Sequence, residues 1–194
     1  MHQLKLIIKG LIFIFTLSSF QISYSQSTSK TKSFFRNMNV QYGCHRGQID
    51  MQYLKGVDTA KSHYHDLSFL WQTDGKKEFH QLYKFPEIGF SAVYGDFGTK
   101  EIGRAVALYP CWSYDIFRKS PVGFVFRFGS GLAWANSSYN RLNSNKNMLL
   151  GSKLLNVTSM LLNIRFNILH NLILNFGYSR FHFSNGHTQV PNYG

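Results

Sequence analysis

Negative charge is scarce in this chain. It has 9 Asp and Glu against 21 Lys and Arg, and charged residues make up only 15 % of its 194 residues, where a soluble domain typically carries about 25 %. Two cysteines are too few for a disulfide-stabilised scaffold. No apolar run reaches the roughly 20 residues of a membrane-spanning helix. A disordered chain is also excluded, because 44 % of the residues are hydrophobic and need burial.

The net charge of +12 points to anionic partners such as nucleic acid or phosphate-bearing lipid. The basic residues are scattered along the chain and form no Lys/Arg-rich block, and no zinc-ligand spacing accompanies them. Nucleic acid is therefore not the expected partner.

The N-terminus has the pattern of an export signal. Lys5 and Lys9 precede an uncharged, mostly apolar run over residues 10–20, and small residues follow at Ser23 and Ser25. This order predicts a secretory signal peptide over residues 1–25, cleaved before Gln26 and excluded from the fold. Residues 26–37 are polar and are predicted to form a flexible lead.

From residue 38 onward, large apolar residues alternate with small or polar ones, which is the pattern of strands. In the clearest segment, Met160, Leu162 and Ile164 share one face, and Ser159 and Asn163 share the other. The alternation predicts seven strands, at 39–50, 62–72, 87–97, 102–117, 122–134, 156–170 and 171–185.

Two architectures fit this alternation, a soluble β-sandwich secreted to the periplasm and a transmembrane β-barrel. Strands of about ten residues or more, with the aromatic residues Trp71, Tyr94, Trp112 and Trp134 near their ends, favour the barrel. The small residues of the opposite face suit the narrow interior of a small barrel. We therefore predict an all-β, antiparallel, up-and-down transmembrane barrel in the outer membrane.

The connections predict how the barrel is oriented. Short turns at residues 118–121 and 170–171 are typical of the periplasmic end, and the long loop over residues 135–155 of the outside. The connection over residues 73–86 is longer than this scheme expects at the periplasmic end. Because seven strands would leave an open edge in lipid, we expect about eight strands, with at least the last one missing from a C-terminally incomplete domain over residues 38–194.

The most reactive side chains lie in the last predicted strand. His182 and Ser184 share one face, and an imidazole can activate a hydroxyl as a nucleophile. The same face carries Leu174 and Phe176, so alternation turns the pair toward the bilayer, where polar groups are costly and usually functional. A pair of polar residues at a strand end without any catalytic role remains the alternative.

The segment from His182 to Asn185, followed by Pro191 and Gly194, resembles the lipid A 3-O-deacylase family, also known as acyloxyacyl hydrolases. The resemblance implies an eight-stranded outer-membrane barrel with a Ser–His–acid triad, in which Ser184 is the nucleophile and His182 the general base. It implies that Asn185 and the backbone of Gly186 form the oxyanion hole. The acid would follow Gly194.

We therefore expect an outer-membrane esterase that removes an ester-linked acyl chain from lipid A of lipopolysaccharide, without metal or cofactor. The alternative is a non-enzymatic small barrel that binds lipid or serves a structural role. The oligomeric state, monomer or homodimer, stays open. Cys44 and Cys111 fall on strands that are not neighbours, so free thiols are expected.

Overall fold

A computed structural model describes residues 18–25, 37–49, 61–169 and 171–191. They form one closed antiparallel barrel of eight strands, each hydrogen-bonded to its sequence neighbours. The strands are β1 (Ser18–Ser25), β2 (Met38–Gln48), β3 (Lys61–Gln72), β4 (Glu87–Asp96), β5 (Arg104–Ile116), β6 (Val122–Ala135), β7 (Leu154–Leu169) and β8 (Leu172–Ser184). One short helix, α1 (Glu78–Leu82), lies between β3 and β4. No helix in these ranges is long and apolar enough to cross a membrane.

Strands β2 to β8 confirm the seven predicted strands to within two residues at each end. The prediction that residues 1–25 lie outside the fold is corrected for Ser18–Ser25. This segment pairs with both β2 and β8 and closes the barrel, so no strand is missing from the described barrel. Phe20 and Ile22 of this strand point outward, while Gln21 and Ser23 are fully buried. The sequence did not reveal this alternation because it follows directly on the apolar run of the predicted signal peptide. Residues 26–36 lie outside the described ranges, and cleavage before Gln26 stays a prediction.

The outer wall is apolar and the lumen is filled with side chains. Large hydrophobic residues of every strand are exposed on the outside, among them Leu108 at 63 % and Leu132 at 64 %. A soluble sandwich would bury this face, so the structure excludes that alternative. The middle of the lumen is polar: Arg127 and Asp66 are buried there, with 3.7 Å between Nη1 and Oδ2.

The two ends of the barrel differ. At one end, the connections are the β5–β6 turn, the tight β7–β8 turn at Asn171, and the segment over residues 73–86 that contains α1. At the opposite end lie the long loop over residues 136–153 and the C-terminus of β8. Phe97, Leu150, Val157 and Phe183 close the lumen at this second end. We call the second end the site end and the first the turn end.

Candidate active site

His182 and Ser184 lie at the C-terminus of β8 and face outward. His182 is exposed and Ser184 is half-buried, whereas Phe181 is half-buried and Phe183 is only 5 % exposed. Alternation along β8 therefore turns the pair to the apolar outer wall, as predicted. The Cα atoms of residues i and i+2 in a strand are about 7 Å apart, so the two polar side chains stand side by side.

Inward packing fixes this orientation. The Phe181 ring stacks on Tyr64 with 5.1 Å between centroids, and the Phe183 ring meets Phe97 edge-on at 5.3 Å. Aromatic contacts of this kind stabilise beyond the area they bury. A slip of one residue in β8 would expose both rings and bury the histidine, so the lumen packing determines where the pair points.

Strands β6 and β7 extend the polar surface around the pair. Thr158 is the register partner of His182, and Asn156 is that of Ser184. The Thr158 hydroxyl lies 3.4 Å from Ser130 Oγ and donates to Asn156 Oδ1 at 3.3 Å. These five residues, Ser130, Asn156, Thr158, His182 and Ser184, form what we call the polar row. Three of them, Ser130, Asn156 and Thr158, were not predicted from the sequence. The available signal was that Asn156 and Thr158 interrupt the apolar outward face of β7.

On β6 and β7 the polar row is bordered by apolar side chains. Leu132 and Leu154 lie beyond it, and Met160 lies between it and the turn end; all three are 39–64 % exposed on the outer wall. On β8 the exposed Arg180, the register partner of Met160, continues the polar surface toward the turn end. Polar groups on a wall that meets lipid are costly and indicate a function there.

The turn after β8 brings a backbone donor to Ser184. The Gly186 N–H donates to Ser184 Oγ at 3.2 Å, and Gly186 adopts a φ of 61°, which glycine tolerates best. Asn185 is buried at 6 % exposure. Its side-chain N–H donates to the Gln189 carbonyl at 2.8 Å, and its Oδ1 accepts the His187 N–H at 3.0 Å. Asn185 thus holds the turn, and Gly186 is the predicted oxyanion donor that lies beside Ser184.

The long loop supports this turn from one side. A Cβ atom at Gly151 would lie 2.4 Å from the Pro191 carbonyl oxygen and 2.7 Å from that of Gln189, so only glycine allows the two backbones to approach this closely. In the described ranges no carboxylate pairs with His182. The acid expected after Gly194 lies outside the described residues.

The other reactive side chains lie away from the polar row. His65 accepts or donates a hydrogen bond at 2.8 Å to the Tyr42 hydroxyl through Nδ1, which lies 3.6 Å from Cys44 Sγ. Cys44 is exposed on the outer wall and Cys111 is buried, and both thiols are free. The described residues contain no group of three or more side chains arranged to hold a metal ion.

Comparison with known proteins supports the resemblance found in the motif. Residues 63–194 match the family described as lipid A 3-O-deacylase (PagL). Neither the search of curated proteins nor that of solved structures gave a match. The matched span covers more than half of the chain and includes most of β3, the five complete strands β4 to β8, the polar row and the turn after β8. The chain therefore belongs to the lipid A 3-O-deacylase (PagL) family, which identifies it as an outer-membrane β-barrel hydrolase.

Proposed function

We propose that this protein removes an ester-linked acyl chain from lipid A, with Ser184 as the nucleophile and His182 as the general base. The observation that carries the proposal is the outward position of the pair on an apolar wall. A lipid substrate reaches this surface by lateral movement in the membrane, without entering the filled lumen.

The proposed reaction has two steps. The Ser184 hydroxyl attacks the ester carbonyl while His182 takes its proton, and His182 then gives that proton to the departing sugar alkoxide. The same imidazole next takes a proton from water as it attacks the acyl-serine, and returns this proton to the Ser184 oxygen when the fatty acid leaves. The Gly186 N–H, 3.2 Å from Ser184 Oγ, is the candidate donor to the developing oxyanion.

Asn185 acts in this proposal by positioning Gly186. Its amide spans the turn between the Gln189 carbonyl and the His187 N–H, so it fixes the backbone whose N–H points at Ser184. Loss of one oxyanion donor lowers kcat about 100- to 1000-fold. We expect a loss of up to this size when Asn185 is replaced and the turn no longer holds Gly186 in place.

The polar row and a nearby cation complete the proposed substrate surface. Asn156 and Thr158 offer hydrogen bonds to the polar part of the lipid next to the scissile ester. Arg180 is exposed on the same face of β8, two residues before His182, and its guanidinium is suited to a lipid phosphate.

The test is mass spectrometry of lipid A from cells that express the protein, compared with the Ser184→Ala variant. We expect the wild-type protein to remove one acyl chain and the variant to remove none, because the nucleophile is absent. The matched control is Ser179→Ala, which deletes a hydroxyl from the same strand on the lumen side, where Ser179 is buried. The control should retain activity.

Heat-modifiable mobility on gels would show that all variants form the barrel. A Ser184→Ala barrel that is folded and still releases fatty acid would disprove the assignment of the nucleophile. A His182→Ala variant with wild-type activity would disprove the assignment of the base.

A further inference from the structure

The connection between β3 and β4 carries more exposed apolar surface than a turn needs. In and beside α1, Leu82 is 72 % exposed, Tyr83 50 %, Phe85 43 % and Phe79 40 %. Such a patch marks an interaction surface when it is contiguous. Basic residues accompany it, namely Lys76, Lys77 and Lys84, and this combination is typical of segments that lie in a membrane interface.

This connection packs against the outer wall of the barrel. The Tyr83 ring meets Trp112 of β5 edge-on, with 6.1 Å between centroids, and Gln72 donates through Nε2 to the Phe85 carbonyl at 2.6 Å. Lys84 and Phe85 both adopt positive φ angles, 52° and 57°. Two consecutive non-glycine residues in this region are unfavourable, and such strain concentrates at functional sites.

An aromatic groove opens on the outer wall next to the connection. Its volume is about 770 Å³, within the range of small-molecule sites. The large side chains that line it are Trp71, Ile88, Phe90, Pro110, Trp112 and Phe128, and its far end on β6 reaches Ser130 of the polar row. Trp71 precedes the connection and Ile88 follows it, and Trp112 contacts Tyr83 within it. The groove therefore begins where the connection packs against the wall.

A small outward side chain opens the groove. Pro110 lies opposite Phe90 of β4 and next to Trp112, both of which are larger, so space remains above the Pro110 ring. Pro110 has no N–H to donate, and the β5–β6 pairing is interrupted between Leu108 and Cys111. Proline inside a strand marks an interruption of the hydrogen-bond ladder, and here that interruption lies at the groove.

The turn end next to the groove has an excess of positive charge. Asp74 pairs with Lys76, with 2.8 Å between Oδ2 and Nζ, and this lysine lowers the pKa of Asp74 to about 2. Lys77, Lys84 and, in the β5–β6 turn, Lys119 are exposed and form no ion pair within the described ranges. Glu78 is the one exposed carboxylate of the connection left to oppose them.

We propose that the groove and this connection together bind one anionic glycerophospholipid, with an acyl chain in the groove and its phosphate beside Lys77 and Lys84. The charged part of this site is at the opposite end of the barrel from Ser184, and the groove runs from there along the wall to Ser130. We place this lipid in the periplasmic leaflet. That placement rests on the proposed function, which puts the site end in the leaflet that contains lipid A. The groove and the lysines do not depend on it.

Native mass spectrometry of the purified barrel, titrated with dioleoyl phosphatidylglycerol, tests the charged half of the site. We expect one tightly bound lipid on the wild-type protein. Lys77→Gln with Lys84→Gln should weaken binding about 25-fold, since each lysine near a membrane surface contributes roughly fivefold. The matched control is Lys100→Gln with Arg141→Gln, which removes the same charge from exposed loops at the site end and should bind as the wild type does.

The apolar half is tested by filling the groove. Pro110→Phe should abolish binding of phosphatidylglycerol because the new ring occupies the space of the acyl chain. Leu108→Phe is its control, since Leu108 is the adjacent outward residue on β5, 63 % exposed and outside the groove. Gel mobility confirms the folded barrel in each case.

Deacylation of lipid A is measured on the same samples. Unchanged phosphatidylglycerol binding by the lysine pair variant would overturn the proposal. So would a Pro110→Phe variant that still binds this lipid and instead changes which acyl chain of lipid A is removed, because the groove would then hold substrate. Loss of binding in both variants supports the proposal even if no sample deacylates lipid A, and in that case only the proposed function fails.

Discussion

Burial, more than distance, decides which ion pairs stabilise this barrel. Arg127 and Asp66 are 3.7 Å apart in the lumen, with side chains 1 % and 0 % exposed. Arg104 and Asp96 approach more closely, at 2.9 Å, with side chains 61 % and 35 % exposed. The exposed pair is screened by water, and pairs of this kind are worth about 0–1 kcal/mol. In the buried pair, Asp66 supplies the counter-charge for Arg127, whose guanidinium has no access to water.

We therefore expect Asp66→Asn to destabilise the barrel by about 3–5 kcal/mol, because it leaves Arg127 buried without a counter-charge. Asp96→Asn, the matched control, should cost less than about 1 kcal/mol. The measurement is the urea dependence of unfolding of the barrel refolded in detergent micelles. Equal, small losses for both variants would contradict this expectation and would mean that water in the lumen screens Arg127.

At the same scale, the sequence predicts the residues of the site that adjoin one another along the chain. His182 and Ser184 are two residues apart on one strand, so alternation alone places them on one face. Asn156 and Thr158 join them only through the register of β7 with β8, and register depends on the tight turn and on inward packing. The structural role of Asn185 was also hidden, because its partners, Gln189 and His187, are defined by how the turn folds.

At the scale of elements, β1 is the one strand that the sequence did not reveal. Phe20 and Ile22 are outward strand residues, and they also extend the apolar run of a leader sequence. The same apolar residues therefore fit both the end of a signal peptide and the outward face of a strand. The register of β1 with β2 pairs Phe20 directly with Cys44, a free and exposed thiol, which offers a way to examine the placement of β1 chemically.

We expect Phe20→Cys to form a disulfide with Cys44 in unprocessed protein refolded from inclusion bodies. Directly opposed residues in antiparallel strands have Cβ atoms about 4.5–5.5 Å apart, which a disulfide bridges with small adjustment. The readout is the loss of both thiols and the change in gel mobility after mild oxidation, in a Cys111→Ser background. The control is Ile22→Cys, whose register partner is Tyr42 and which should not form the bridge.

The Phe20→Cys variant also tests the predicted signal peptide over residues 1–25. Protein exported to the outer membrane and cleaved before Gln26 would begin at that residue by intact mass, lack residue 20, and retain a free Cys44 thiol. A refolded, unprocessed Phe20→Cys protein that forms no bridge would show that β1 does not occupy the position between β2 and β8.

For the whole molecule, alternation predicts one apolar face on each strand but fits a sandwich as well as a barrel. Strand length and the aromatic residues near the strand ends favour the barrel. Turn lengths predicted which connections share an end: the short β5–β6 and β7–β8 turns lie together, opposite the long loop. The 73–86 connection was the exception to the short-turn pattern, and the structure gives a physical reason. The connection packs against the outer wall through the contact of Tyr83 with Trp112. It needs its extra residues to reach and cover that part of the wall.

The direction of the barrel in the membrane links the site to its substrate and can be measured with two single-cysteine variants. We expect Leu142→Cys, in the long loop, to react with a membrane-impermeant maleimide on intact cells. Leu82→Cys, in α1, should react only after the outer membrane is permeabilised. Both leucines are well exposed, at 90 % and 72 %, so a difference in labelling reports sidedness rather than burial. Cys44→Ser with Cys111→Ser removes the native thiols, and this parent protein serves as the unlabelled control. Labelling of Leu82→Cys alone on intact cells would place Ser184 at the periplasmic face, away from the leaflet that contains lipid A.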